Sequence, residues 1–264
     1  MPSVKEDLRT FLNRKVAEYN RPSFIPGDPV SVPHRYSQKQ DIEIAGFFAA
    51  IFSWGNRTTI IRKSEELMQL MDKAPYQFVL HHTDSDLKKL LHFRHRTFNP
   101  TDLLYFIAFF RHHYSHYDSL EDAFLRPWED RGPAPKEWDA ERALSAFYHY
   151  FFSLDDTPPR TRKHIASPEK HSSCKRINMF LRWMVRKDSQ GVDFGLWRRI
   201  RPAKLICPLD LHVARVGRRF ELLTRPSADW AAAKELTDAL LTLDPADPVK
   251  YDFALFGLGV MEKF

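Results

Sequence analysis

Apolar residues recur at helical spacing along most of the chain, and no period-two alternation lasts long enough to mark a strand. The first stretch, Glu6 to Tyr19, places Leu8, Phe11, Leu12, Val16 and Tyr19 at that spacing. Pro22, Pro26 and Pro29 follow, and their fixed φ angles and missing donors predict an extended connector over FIPGDPVSVPHRY. Within it Asp28 and His34 read as turn and capping residues in preference to metal ligands. From Asp41 the run IEIAGFFAAIFSW is apolar nearly all round, as expected of a helix buried on most faces. Gly55 is its expected C-cap, and Asn56-Arg57-Thr58-Thr59 opens an amphipathic helix, IIRKSEELMQLMDK.

Leu87 to Leu91, the FRHRTF stretch and Asp102 to Tyr117 predict further helices, continued by Leu120 to Phe124. Pro127 to Trp138, with Gly132, Pro133 and Pro135, is the clearest break in the pattern. Helical spacing resumes over Ala140 to Phe152, lapses in the polar loop DDTPPRTRKHIASPEKHSS, and returns in CKRINMFLRWMV. A loop-rich insertion from Lys187 to Lys204 leads to Pro208-Leu209-Asp210 and a basic helix; two more helices, Asp229 to Leu243 and KYDFALFGLGVM, complete the chain. The pattern therefore predicts an all-α fold, a single two-lobed unit with a helical lobe over 36–153 and a second lobe of 1–35 plus 154–264. The N-terminal helix is expected to return onto the C-terminal part, and a cleft is expected between the lobes.

Composition removes several classes. With only Cys174 and Cys207, a disulfide scaffold, a four-cysteine zinc site and a cysteine-ligated iron–sulfur cluster lack ligands. Nine glycines in 264 residues argue against a glycine-rich nucleotide-binding α/β fold. No apolar run approaches the ~20 residues of a membrane span, the N-terminus lacks a signal-peptide core, and a reducing cytoplasm is the expected setting. His112 and His116 share a helix face but no third ligand accompanies them, so neither a metal nor another cofactor is expected.

The charge is uneven. Between Arg160 and Arg219 lie sixteen Lys/Arg and four Asp/Glu, so the rest of the chain holds 24 basic and 30 acidic residues. One basic patch on a mildly acidic body is the sequence footprint of nucleic-acid binding. That patch contains Lys175 at the start of an apolar helix and Asp210 before a basic one, 35 residues apart.

Three segments carry a resemblance. IAGFFAAIFSWGNRTTIIRKSEELMQLM resembles the buried-helix and polar-corner unit of the helix-hairpin-helix DNA glycosylases, and CKRINMFLRWMV resembles their catalytic-lysine helix. LICPLDLHVARVGRRFELL is similar to their Pro-Val-Asp-x-His-Val-x-Arg-Val segment, the most specific of the three. The insertion before Asp210 and the acid Asp252 on the closing helix resemble the archaeal 8-oxoguanine glycosylases. Over nearly its full length the chain also resembles a bacterial family of conserved uncharacterised proteins, through CKRINMFLRWMVR, PLDLHV and DPVKYDFAL. There are departures: His171-Ser172-Ser173-Cys174 stands where the glycosylases carry a glycine-containing hairpin turn, and Phe256 replaces an archaeal tryptophan.

The resemblance implies a base-excision glycosylase acting on double-stranded DNA as a monomer, removing an oxidised purine such as 8-oxoguanine, with associated AP lyase activity. Lys175 is the implied nucleophile and Asp210 the implied partner that takes a proton and faces the cation-like sugar. An amine attacks only when neutral, a state that burial and nearby cations promote; Arg176, Arg182 and a helix start lie close in sequence. Asp210 is also expected to N-cap its helix. Extruding a base requires aromatic contacts, for which Trp54, Trp183 and Phe256 are candidates, though each reads more readily as a plain core residue. Asp252 either reads the flipped base or forms a buried ion pair with an arginine. Asn56, Arg57, Ser172, Ser173, Arg176, Arg182, Arg186, His212 and Arg215 are the expected DNA contacts, with Ser172 able to N-cap the lysine helix. The competing readings are a binding-only module of the same fold, for DNA or RNA, and a metal phosphohydrolase, against which no HExxH, His-Asp or GxxxxGK(S/T) motif occurs.

Overall fold

A computed structural model describes residues 7–129 and 137–264, the side chains of 126–129 excepted. The described residues are all-helical, with two isolated backbone bridges and no strand. In chain order the α-helices are α1 (Leu8–Tyr19), α2 (Lys39–Ile51), α3 (Arg57–Leu70), α4 (Pro75–His81), α5 (Asp84–Lys89), α6 (Pro100–Tyr114), α7 (Glu121–Glu129), α8 (Ala140–Phe151), α9 (Lys175–Val185), α10 (Leu211–Arg219), α11 (Trp230–Leu243) and α12 (Tyr251–Val260). None is long and apolar enough to cross a membrane.

The chain divides into two compact units: Pro26–Ala166, and the N-terminal segment through Ile25 together with Ser167–Phe264. These boundaries differ from the expected 35/36 and 153/154. The proline-rich connector belongs mostly to the first unit and is not extended. It forms three 3-10 turns, Pro22–Gly27, Pro29–Ser31 and Pro33–Arg35, because a proline's φ suits the first position of such a turn. Asp28 caps the second of these turns, accepting from Val30 N at 3.1 Å.

The unit Pro26–Ala166 is built on α2, whose residues from Asp41 to Ile51 are all buried. Phe47 and Phe48 meet Phe106 and Phe110 of α6, and Phe47 also meets Phe147 and Phe151 of α8. Fully buried Glu43 is tolerated because Tyr114, Ser119 and the Leu120 N–H all donate to it. Two expectations fail here. Helix α2 stops at Ile51 and not at Gly55, which instead lies in the following turn at φ 104. FRHRTF is a bridged turn closed by His95 and Phe98, not a helix. The Pro/Gly break falls, for 130–136, outside the described residues.

The other unit packs α1 against α12, with α10 and α11 completing one apolar core of Phe11, Leu12, Val16, Val213, Val216, Leu236, Leu240, Leu255 and Leu258. Gly257 sets the closeness of α1 to α12: a Cβ there would lie 2.2 Å from the Tyr19 ring. Helix α9, which carries Lys175, belongs to this unit.

Candidate Lys–Asp active site

Helix α9 begins at Lys175 immediately after a strained turn. His171 and Cys174 both take left-handed φ, 56° and 52°, the conformation a glycine would supply there. The turn is tied down locally. Cys174 N donates to Ser172 Oγ at 3.2 Å, the Asn178 side chain donates to Ser173 O at 3.0 Å, and Ser173 Oγ donates to Leu209 O at 3.2 Å. That last bond joins the residue range before α9 to the residue before Asp210. Ser172 therefore stabilises the turn and does not N-cap the helix; Cys174 holds the cap position without a side-chain capping bond, its Sγ donating instead to Ser172 O at 3.4 Å.

Asp210 is the N-cap of α10. Its Oδ1 accepts from His212 N and Val213 N, both at 2.9 Å, which leaves Oδ2 directed elsewhere. Lys175 Nζ lies 3.9 Å from that Oδ2, with the two side chains 26% and 22% exposed. They are thus reachable yet partly dehydrated. A lysine in the first turn of a helix faces the positive end of the helix dipole, where stability alone favours an acid. Its placement opposite Asp210 compensates that cost.

Along one face of α9 and just past its end, polar side chains recur at helical spacing, Lys175, Asn178, Arg182 and then Arg186. Asn178, Arg182 and Arg186 are buried. Arg182 pairs with Asp252 and, through Nε at 3.3 Å, with Asp193. Arg186 reaches Asp193 at 3.1 Å, Asp188 at 2.7 Å and Asp247 at 2.8 Å. The result is an alternating ladder of cations and carboxylates. It corrects the expectation that Arg182 and Arg186 bind phosphate: both are committed to buried carboxylates, and withdrawing either would strand those charges.

Asp252 resolves to the buried ion pair. It is 6% exposed and bonded to Arg182, while burial, against the pull of Arg182 and aided by Asp210, pushes its carboxyl up to about 6. Trp183 is fully buried, which removes it as a contact for an extruded base. Phe256 is partly buried, edge-on to Phe24. Trp54, Asn56 and Arg57 lie in the other unit, where Trp54 stands edge-on to the His95 ring and Asn56 caps α3 through Thr59 N. Arg176 is half-buried, and His212 and Arg215 are exposed. Arg215 nonetheless spends its guanidinium on the carbonyls of Gly259 and Phe264.

The insertion 187–204 runs back along the end of α9: Phe194 N and Trp197 N donate to the carbonyls of Trp183 and Met184. Its Trp197 is core, edge-on to Phe180, and its Asp193 joins the two arginines of the ladder. Both cysteines are buried and free, and burial first of all pushes the Cys174 thiol up to about 12, far from a reactive thiolate. Among the described residues no three His, Cys, Asp or Glu side chains gather as a metal site. His112 and His116 are neighbours on α6 and just beyond it, the latter bonded to the His112 carbonyl at 2.8 Å.

The class defined so far is an all-α protein with a Lys–Asp pair where two helices begin. The chain belongs to the DUF2400 family of proteins of unknown function, whose family model matches residues 28–261. That span includes Lys175, Asp210 and Asp252. No curated protein and no solved structure matches the chain significantly.

Proposed function

We propose that the protein is a base-excision DNA glycosylase of helix-hairpin-helix type with AP lyase activity. The observation that carries this reading is the approach of Lys175 Nζ to the uncapped oxygen of Asp210, 3.9 Å away, across 35 residues of sequence. The pair lies within the most basic stretch of the chain, suited to a polyanion. The left-handed backbone at His171 and Cys174 supports the hairpin reading despite the missing glycines.

In this reading the neutral amine of Lys175 attacks C1′ of the damaged nucleotide. The C1′–N bond breaks, and its electron pair leaves with the base, which takes up a proton. Asp210 Oδ2 accepts the proton that the attacking amine loses and, as a carboxylate, faces the positive charge developing at the sugar. The C1′–O4′ bond then breaks, O4′ takes up the proton that Asp210 had accepted, and the nitrogen lone pair forms a C=N bond between C1′ and Nζ. Oδ1, held by two backbone N–H groups, fixes the orientation of Oδ2 throughout. The substrate class, an oxidised purine such as 8-oxoguanine, follows from the resemblance alone, since Asp252 is engaged with Arg182.

Borohydride reduces such a C=N bond to a stable amine, so it tests the proposal directly. Duplexes carrying 8-oxoguanine or an abasic site are expected to become covalently attached to the wild-type protein and not to Lys175→Gln. Lys175→Gln is expected to fold with stability within about 0.5 kcal/mol of wild type, since the side chain is partly exposed and outside the core. Equal adduct with the variant would remove Lys175 as the nucleophile, and no adduct with wild type would remove the lyase chemistry.

A further inference from the structure

The residue that follows Asp210 is the most exposed large apolar side chain among the described residues: Leu211 is 80% exposed. Its position is set by the cap. Asp210 fixes the start of α10, and the helix buries Val213, Ala214, Val216 and Gly217, so the first residue of the helix turns away from the core. The second most exposed, Met261 at 57%, comes two residues after Gly259.

These two side chains belong to adjoining helix ends. A Cβ on Gly259 would lie 3.0 Å from His212 Cβ and 3.2 Å from His212 O, and Arg215 donates to Gly259 O at 2.8 Å. The start of α10 is thus braced by the end of α12, and Leu211 projects from a fixed support. A single exposed leucine is ordinary on a protein surface. Here it stands beside the Lys–Asp pair, with the exposed cationic Arg215 and Arg219 on the same helix.

An apolar side chain amid positive charge complements a ligand that is apolar on one face and anionic on another. A DNA strand is such a ligand, with base and sugar faces flanked by phosphates. We infer that Leu211, supported by Met261, is a substrate-contacting residue that packs against the base or sugar next to the damaged nucleotide and fills space opened when that nucleotide leaves the stack. The inference rests on the base-excision reading for the identity of the site. Its energetic content is apolar burial and not charge neutralisation, and the two respond differently to salt.

The test uses fluorescence anisotropy with two duplexes, one intact and one carrying a tetrahydrofuran abasic analogue, over a series of salt concentrations. Leu211→Ser is expected to bind the abasic duplex about tenfold more weakly than wild type, the scale of one partly buried leucine. It should bind the intact duplex as wild type does, with an unchanged slope of log affinity against log salt and an unchanged melting temperature. Leu211→Met, which keeps the apolar bulk, should stay within about twofold of wild type. No loss on the abasic duplex, an equal loss on both duplexes, or a shallower salt slope would each overturn the inference. Borohydride trapping by wild type separates the two ideas: adduct with unaltered Leu211→Ser binding keeps the glycosylase reading and sinks this one. Weakened, lesion-selective binding without adduct keeps this inference and removes only the lyase chemistry.

Discussion

Asp102 and Asp252 are carboxylates buried near the start of a helix in different units; burial raises both, yet their net shifts run in opposite directions. Asp102, at 0% exposure, receives Thr161 Oγ at 2.8 Å, the Asn99 N–H at 2.9 Å, His164 at 3.1 Å and the Arg160 guanidinium. Burial raises its carboxyl, but the His164, Asn99 and Thr161 bonds outweigh that and hold it down at about 2. Asp252 has Arg182, which it shares with Asp193, and it feels the charge of Asp210 as well. Burial therefore wins, and the group rises to about 6. The difference is one of satisfied lone pairs, not depth. Asp102 anchors α6 through a reciprocal cap with Asn99, whereas Asp252 is an under-compensated charge electrically linked to Lys175 and Asp210.

The largest effect is expected on the well-partnered side. Asp102→Asn keeps the shape but sets an amide against the donors that Asp102 accepts from, the Asn99 N–H, the Thr161 hydroxyl and Arg160, which costs about 1–3 kcal/mol for each buried donor left unmet. Urea unfolding with hydrogen exchange on α6 amides reads this out. A loss below about 1 kcal/mol would mean that the network is a bystander and the contrast with Asp252 has no energetic content.

A somewhat smaller and pH-dependent effect is expected at Asp252. Its folded-state carboxyl lies above the ordinary value of 3.8, so the folded protein holds this proton more tightly than the unfolded chain. Its contribution to stability is full below pH 3.8 and is lost as pH rises through 6, about 3 kcal/mol in all, most of it between pH 4 and 7. Asp102 runs the other way: its contribution is present above pH 3.8 and lost as pH falls through 2. The stability advantage of wild type over Asp252→Asn should therefore shrink between pH 4 and 7. A difference that stays flat across that window would show that Arg182 fully compensates the charge.

The contrast also explains what the sequence could and could not disclose. Most helices were legible, because apolar spacing and capping residues such as Asn56, Asp210 and Asp229 are local signals. Helix α4 was hidden by Pro75, which reads as a breaker yet sits where a helix tolerates it best. Lys175 and Asp210 were legible as a pair through their motifs, but the bond from Ser173 Oγ to Leu209 O that helps hold their segments together was not. Arg182 and Arg186 read as surface cations because their partners Asp193, Asp247 and Asp252 are separate in sequence. The i, i+7, i+11 spacing from Lys175 was the available sign that these arginines share one face of α9. Nothing local marked Leu211 as exposed, since the residue type predicts burial and only the cap geometry turns it outward.

The smallest effect separates two duties of a single residue. Asp210 both caps α10 with Oδ1 and faces Lys175 with Oδ2, so replacing it tests each duty according to what is kept. Asparagine caps a helix about as well as aspartate, and its side-chain oxygen can still accept from His212 N and Val213 N, but it cannot take a proton. Alanine does neither. Asp210→Asn should thus leave the melting transition nearly unchanged, while Asp210→Ala should cost about 1 kcal/mol, within the ordinary range for a lost N-cap. Both should suppress the borohydride adduct to a similar degree if the carboxylate takes part in the chemistry. Should Asp210→Asn form adduct at the wild-type rate, the carboxylate is a cap alone and Lys175 acts without it. Should Asp210→Asn be as unstable as Asp210→Ala, the charge near Lys175 and not the cap is what Asp210 contributes to the fold.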